Sequence, residues 1–326
     1  MGTATRVGPG PDSRVSNVVA ASVELWNDPF VPRLYVLLAA VCFSTTGTAQ
    51  ALGPAEASPL SVGALRLLLG GALLVVLAHI GGHGLGVAGL TGLRPRGAVV
   101  AGAVGVAAYQ PLFFAGVRGT GVAVGTLVAL GSAPVLTGAL ALVLGTRVTR
   151  RWAGATVLAV AGVACLALAG GRSEVRLAGV LAALGAGASY AVYTLAAKRL
   201  LDGLHPADTV MAGLFAGGAV LLLPLLLVVD LGWVATWSGL LTVLWLGAVP
   251  TALAYRLFAR GLRRLPAAEV ATLTLAEPVT AALLGVAVLG ETVTVGLLLG
   301  GVLVVASLAV LTGAGPGRRR LVEAAA

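Results

Sequence analysis

From about residue 34 the chain is written as a succession of apolar stretches separated by brief polar or glycine-containing breaks, and this feature constrains the fold more than any other. A stretch of about 20 apolar residues, rising 1.5 Å per residue as a helix, crosses the roughly 30 Å of hydrocarbon in a bilayer. Ten such segments are predicted, near 34–53, 59–80, 97–117, 121–144, 151–170, 176–198, 207–229, 236–257, 266–289 and 293–313. With 58% hydrophobic residues, 10% charged residues and a mean hydropathy of +1.02, the 326-residue chain has too little polar surface to coat a water-soluble globule. The fold class expected is an all-α integral membrane protein. Its solvent is lipid.

A net charge of +9 would suit nucleic acid, but the basic residues fall in small clusters between apolar segments, with almost no aromatic residues interleaved. That placement predicts membrane topology and no nucleic-acid partner. With the N-terminus cytoplasmic, seventeen of the 21 Lys and Arg fall on the inside: Arg6, Arg14, Arg33, Arg94, Arg96, Arg147, Arg150, Arg151, Lys198, Arg199, Arg256, Arg260, Arg263, Arg264, Arg318, Arg319 and Arg320. Only Arg118, Arg172 and Arg176 fall outside, and Arg66 lies within the second span. A miscounted span would invert every later loop and erase this asymmetry. Ten spans with both termini cytoplasmic, in the inner or plasma membrane, is the expectation. Residues 1–32 read as a solvated N-terminal tail and 314–326 as a basic C-terminal tail. Cys42 and Cys165 lie inside apolar runs and make neither a disulfide framework nor a metal site.

The chain also repeats itself. Pro59 followed by Gly70-Gly71-Ala72 matches Pro206 followed by Gly217-Gly218-Ala219. Leu112-Phe113, Gly116 and Arg118 match Leu257-Phe258, Gly261 and Arg263, and Leu144-Gly145 with Val148-Thr149 matches Leu289-Gly290 with Val293-Thr294. These ordered matches divide the chain into five-helix units at 33–170 and 171–313. Five crossings is an odd number, so the second unit enters the membrane inverted. Inverted repeats give a transporter two nearly equivalent states around a site near the midplane.

At this point the residues resemble a known family, the EamA-type transporters of the drug/metabolite transporter superfamily. The resemblance rests on SVGALRLLLGGAL with Arg66, on TLAEPVTAALLGVAVLGE with Glu277, Pro278, Gly290 and Glu291, and on the weaker APVLTGALALVLGT, where Thr146 stands at the acidic position. It covers residues 34–313 in two copies. It implies a ten-helix permease exporting amino acids, amines or other small metabolites, and it does not name a substrate.

Charges inside the membrane are the natural site candidates, because one at a helix centre costs about 2.5–3.5 kcal/mol on insertion scales. Arg66 sits about 10 Å along the second span. It reads either as an anchor for a substrate carboxylate, through its planar fork, or as a structural arginine tied to carbonyls or a carboxylate. Glu277 lies about 16 Å along the ninth span. It reads as a proton-exchanging or amine-binding acid, or as a structural partner of Arg66. Pro278 should kink the helix and free the carbonyl of Thr274, and Pro134 should kink the first copy, where Ala133 replaces the acid.

A polar and aromatic set could complete a cavity: Ser44, Thr45, Thr46, Gln50, Tyr109, Gln110, Tyr190, Tyr193, Trp245, Tyr255, Thr272 and Thr274. The substrate-binding expectation is Arg66, Glu277, Gln50, Thr46, Tyr109, Gln110, Tyr193, Trp245 and Thr274. Small-xxx-small spacings such as Gly121/Gly125, Gly213/Gly217 and Gly296/Gly300 fit close helix contacts. Glu291 reads as a cap at the start of the tenth span.

No H-E-x-x-H, G-x-S-x-G or Walker pattern occurs, and His79, His83 and His205 lack metal-ligand spacing. The reading is a secondary transporter with no cofactor and no metal, rather than an enzyme. Its expected partners are a small-molecule substrate, the lipid bilayer and protons as coupling ion. A membrane scaffold is the alternative, but it would need neither an inverted duplication nor an intramembrane carboxylate. No sequence feature assigns an oligomeric state.

Overall fold

The computed structural model describes residues 30–82, 92–168 and 176–312. Arg6, Arg14, His83, Arg172, Arg318, Arg319 and Arg320 lie outside the described residues, as do nearly all of the N-terminal tail and the whole C-terminal tail. Among the described residues, ten helical spans are long and apolar enough to cross a membrane. The first seven are single α-helices: α1 (Phe30–Ala51), α2 (Pro59–Ile80), α3 (Arg96–Thr120), α4 (Val122–Val143), α5 (Arg150–Leu168), α6 (Leu177–Asp202) and α7 (Ala207–Leu222), the last extended by a 3₁₀ turn over Leu223–Leu227. The eighth span is α8 (Trp237–Gly247), a π turn (Ala248–Leu253) and α9 (Ala254–Arg264). The ninth is broken into α10 (Ala267–Leu273) and α11 (Ala276–Leu289), and α12 (Val295–Thr312) is the tenth.

Local chemistry sets the ends. Pro59 opens α2 where a missing N–H is harmless, and the Ser58 side chain accepts from the Ser61 N–H at 3.2 Å. Thr236 caps α8 in the same way, accepting from the Gly239 N–H at 3.0 Å. Gly121, with φ at 81°, turns the chain sharply between α3 and α4 in a conformation that a Cβ would strain. The start of α12 differs from expectation. Thr294 is its cap, accepting from the Leu297 N–H at 3.2 Å, whereas the Glu291 N–H bonds back to the Gly285 carbonyl at 3.1 Å and its carboxylate lies over Gly285. Glu291 therefore closes the end of α11, because the left-handed turn at Gly290 folds it back onto that helix.

The helices pair as an inverted duplication requires. α3 lies along α6, and its counterpart, the eighth span, lies along α1; α4 lies along α6, and its counterpart, the ninth span, lies along α1. α2 pairs with α7 and α5 with α12, each a helix against its own counterpart. Lipid tails are as apolar as leucine, so these contacts rest on close packing of small residues and a few hydrogen bonds rather than on escape from water. α5 and α12 illustrate both. Gly300 packs so tightly on α5 that an added Cβ would lie 2.6 Å from the Gly162 carbonyl oxygen, and the Ser307 hydroxyl donates to the Ala155 carbonyl at 2.7 Å. On outer faces, Val100 and Val104 of α3 and Leu298, Leu299, Val302 and Val305 of α12 are exposed, as lipid contact demands.

Candidate functional site

A cavity of about 500 Å³ lies between the two halves, lined from α1, α2, α3, α4, α6, α7, the eighth span and both pieces of the ninth. Small-molecule sites commonly fall in this size range. Successive spans alternate in direction, so the face on which α1 begins also carries the clusters around Arg94, Arg147, Lys198 and Arg260. We call it the basic face. On three spans the lining residues run from mid-span towards the opposite face, Phe43 to Gln50 on α1, Pro59 to Leu67 on α2 and Val106 to Val117 on α3, while on the ninth span they run through its middle from Ala271 to Ala281.

Towards the basic face the interior is closed. Phe258, Leu200, Leu214, Leu262 and Met211 are fully buried there, and the rings of Phe43, Tyr193, Phe215 and Tyr255 pack above them, with Tyr255 4.9 Å from Phe43 and 4.1 Å from Phe215 by ring centroids. Polar ties join the span ends around this plug. Arg33 at the start of α1 pairs with Glu269 of α10 at 2.8 Å, and Arg256 forks onto Asp208 of α7 at 3.0 and 2.7 Å. The Trp152 indole of α5 donates to the Ala268 carbonyl at 2.8 Å. Such forked guanidinium–carboxylate pairs fix geometry as well as charge.

Arg66 and Glu277 both line the cavity, one from each half, and among the described residues no direct ion pair joins them. Two intramembrane charges of opposite sign thus face one void without neutralising each other through contact. The break in the ninth span places the acid. The Thr274 carbonyl, expected to be freed by Pro278, instead accepts from the Glu277 N–H at 2.9 Å, because the chain tightens from α-helical to i→i+3 bonding at the break. Glu277 then begins the first turn of α11, where a carboxylate is favoured by the helix dipole.

Side chains from α5 and α6 hold that break. Thr274 uses its hydroxyl proton on the Ala271 carbonyl, so the Tyr190 hydroxyl, 3.0 Å away, donates to it. Thr272 likewise donates to the Ala268 carbonyl and accepts from Thr156 at 2.8 Å.

The eighth span carries the other irregularity. Its π turn is closed by the Thr251 hydroxyl donating to the Leu246 carbonyl at 2.7 Å, and Thr251 lines the cavity. π turns often mark functional sites. Thr251 fits because Gly70 on α2 has no Cβ; one there would overlap the Thr251 side chain.

Gln50, Thr46, Tyr109, Gln110, Tyr193 and Thr274 are all brought to this cavity together with Pro278. Ser44, Tyr190 and Tyr255 join them. Trp245 does not. It lies outside the wall, 48% exposed, its indole N–H donating to Thr45 at 3.2 Å in a depression on the outer surface between α1 and α8. The helix register turns it there, since Leu246 takes the inward position. Thr272 is buried behind the wall, and Pro134 is buried within α4, which runs through it unbroken.

Sequence reasoning missed Phe43, Phe113, Phe114, Phe215, Thr126 and Thr251, which also line the cavity. Phenylalanines in an apolar span look like packing. The signal that could have found them is the adjacent pair Phe113-Phe114, three residues beyond Gln110 in a chain with only six Phe.

Among the described residues, no three His, Cys, Asp or Glu side chains gather as a metal site would require. Comparison with known proteins decides the family: residues 32–168 and 177–313 each match the EamA-like transporter family. The chain belongs to that family. An uncharacterized transporter of Bacillus subtilis, YwfM, is 45% identical over 299 residues, covering 90% of this chain and 97% of that protein. The threonine/homoserine exporter RhtA of Salmonella typhimurium is 39% identical over 139 residues, 42% of this chain and 46% of the exporter. A crystal structure at 25% identity superposes with a TM-score of 0.74 over 86% of this chain and 96% of its own. The protein is therefore a multi-pass membrane transporter, and its family implies a small-molecule substrate and a bilayer around it.

Proposed function

We propose that this EamA-family protein is a secondary transporter that exports small organic metabolites such as amino acids or amines across the inner or plasma membrane by alternating access. The observation carrying this reading is that Arg66 and Glu277 face one cavity from opposite halves without a direct ion pair. Such charges are costly at membrane depth unless they serve a polar ligand or each other. The inverted halves supply the second state: the ties of Arg33–Glu269 and Arg256–Asp208 close the basic face in this state, and exchanging the roles of the halves would open it. A scaffold would need no such cavity. The RhtA match, though it spans less than half of that exporter, adds support for amino acids and for export.

The repeats at 33–170 and 171–313 act as the two moving units, with the tails at 1–32 and 314–326 and the basic face in the cytoplasm. Arg66 anchors a carboxylate, and Glu277 binds an amine or exchanges a proton with it, which makes proton antiport the coupling. The chain is a carrier and not an enzyme.

Flux in proteoliposomes tests this directly, using radiolabelled amino acids, amines and organic acids with and without an imposed pH gradient. Gradient-dependent movement of one class is the expected result. Absence of flux for every compound, from folded protein, would defeat the reading. Cysteines placed at Glu56 and Glu291 should label from outside in intact cells, and labelling only after lysis would overturn the orientation.

A further inference from the structure

The depression beside Trp245 encloses about 830 Å³, within the roughly 300–1,000 Å³ of small-ligand sites. Unlike the central cavity it opens sideways into lipid, and it lies over the seam between the halves, with α1 of the first repeat on one side and α8 and α11 of the second on the other. The seam is open here because α8 leans on α2, where Leu69 packs on Gly247, rather than on α1. From Trp237 to Val249 the trough runs about 18 Å at helical rise, against about 15 Å for half of a hydrocarbon core. It is therefore one leaflet deep, on the side away from the basic face.

Polarity is graded along the trough. Its inner part is apolar, with Leu241, Leu244, Ala248 and Leu284, and the hydroxyls set among them are already committed. Thr45 donates to the Cys42 carbonyl at 2.8 Å and accepts from the Trp245 indole, and Thr242 donates to the Ser238 carbonyl at 2.9 Å. Bonding back to the helix in this way is what threonines in a span commonly do. Towards the mouth the pattern changes. Among the described residues, the Thr48 and Ser238 hydroxyls and the Trp237 indole N–H have no hydrogen-bond partner, so three donors stand at one end of an apolar trough.

We propose that this trough binds one glycerophospholipid of the leaflet away from the basic face, an acyl chain lying along Leu241, Leu244 and Trp245 and the ester carbonyls accepting from Thr48, Ser238 and Trp237. The ligand has the same gradient as the trough. Ester carbonyls bring lone pairs and no proton, they lie where hydrocarbon meets the headgroups, and the chain beneath them is apolar; unpaired donors at the interface end supply the complement. A lipid tail that merely covers the surface needs no donors. A second copy of this chain fits less well, because a two-fold contact sets the same surface on both partners and a hollow against its own image leaves a void. Such a site requires only that the chain span a membrane, so it stands whatever the transported substrate.

Native mass spectrometry tests this, using the full-length protein stripped of lipid in detergent and then offered dipalmitoyl phosphatidylcholine or its ether-linked analogue, dihexadecyl phosphatidylcholine. One ester lipid should be retained per chain, and the ether analogue, with matching chains and no carbonyls, should bind at least threefold more weakly. Leu241→Trp, which fills the trough with apolar bulk, should lower ester-lipid occupancy at least fivefold, while Leu298→Trp on the exposed face of α12 leaves it within twofold. Thr48→Val combined with Ser238→Ala should erase the preference for the ester. If Leu241→Trp does not fold, the ester and ether comparison on the unaltered protein still decides. Equal binding of the two lipids, equal effects of the two tryptophans, or no retained lipid overturns the proposal, and a dimer that Leu241→Trp dissociates would give the trough to a second copy instead.

Discussion

The fourth and ninth spans are counterparts in the two halves, each with a proline in the same sequence frame, and they fold differently. α4 runs unbroken from Val122 to Val143 through Ala133-Pro134, while the ninth span stops at Leu273 and restarts at Ala276, just ahead of Glu277-Pro278. Proline is common to both, so it is not sufficient to break a span. What differs is the surroundings. The ninth span is held sideways by hydroxyls from two neighbours, Thr156 on Thr272 and Tyr190 on Thr274. In α4 the nearby Thr137 hydroxyl turns back to its own helix, donating to the Ala133 carbonyl at 2.7 Å. The Ser132 side chain and the backbone of Ala129 and Ala133 in α4 pack against Gly187. One half thus offers a smooth wall and the other an irregular one bearing the acid.

The strongest way to break this comparison is to remove the charge. Glu277→Gln should cut transport by at least tenfold and remove its response to a pH gradient, whereas Ala133→Ser at the matching place should leave the rate within twofold; equal effects would make the two walls equivalent. Arg66→Ala should resemble Glu277→Gln in flux assays, since the two charges serve one cavity. Both should insert normally, as judged by membrane yield.

Next in size is the lateral hold on the break. Tyr190→Phe removes the donor to Thr274, and Thr156→Val removes the donor to Thr272. Each should destabilise by about 0.6 kcal/mol, the average for hydrogen bonds between membrane helices, and by no more than about 1.7 kcal/mol. Together they should lower transport severalfold, read as thermal midpoint and initial rate. Thr137→Val in α4 should cost less, because it loses only a bond to its own helix.

The smallest effect concerns the prolines themselves. Pro278→Ala should leave the break in place, detected as unchanged spacing between spin labels at Ala267 and Leu289, with flux reduced about twofold. Pro134→Ala should be neutral or slightly stabilising, by a few tenths of a kcal/mol, as helix propensity favours alanine. A ninth span that straightens in Pro278→Ala would return the break to the proline and erase the contrast.

Much of this was legible in the chain. Ten spans, their inversion and the two intramembrane charges follow from hydropathy, charge placement and an internal offset, because a bilayer imposes length and polarity on every crossing segment. Arg66 and Glu277 were visible as candidates because a charge in an apolar run is rare and costly. Which way each side chain faces was not. In a helix apolar on every side, no stripe distinguishes lipid from interior, so Trp245 looked as good a lining residue as Gln50, and Phe113 and Phe114 looked like filler. The break at Thr274, the π turn at Thr251 and the reassignment of Glu291 to the end of α11 arise from hydrogen bonds between residues far apart in sequence or across a turn. The sequence by itself determined how many times the chain crosses the membrane and which charges it carries inside; only tertiary packing decided which helix faces meet, and therefore that these charges share one aromatic-walled cavity.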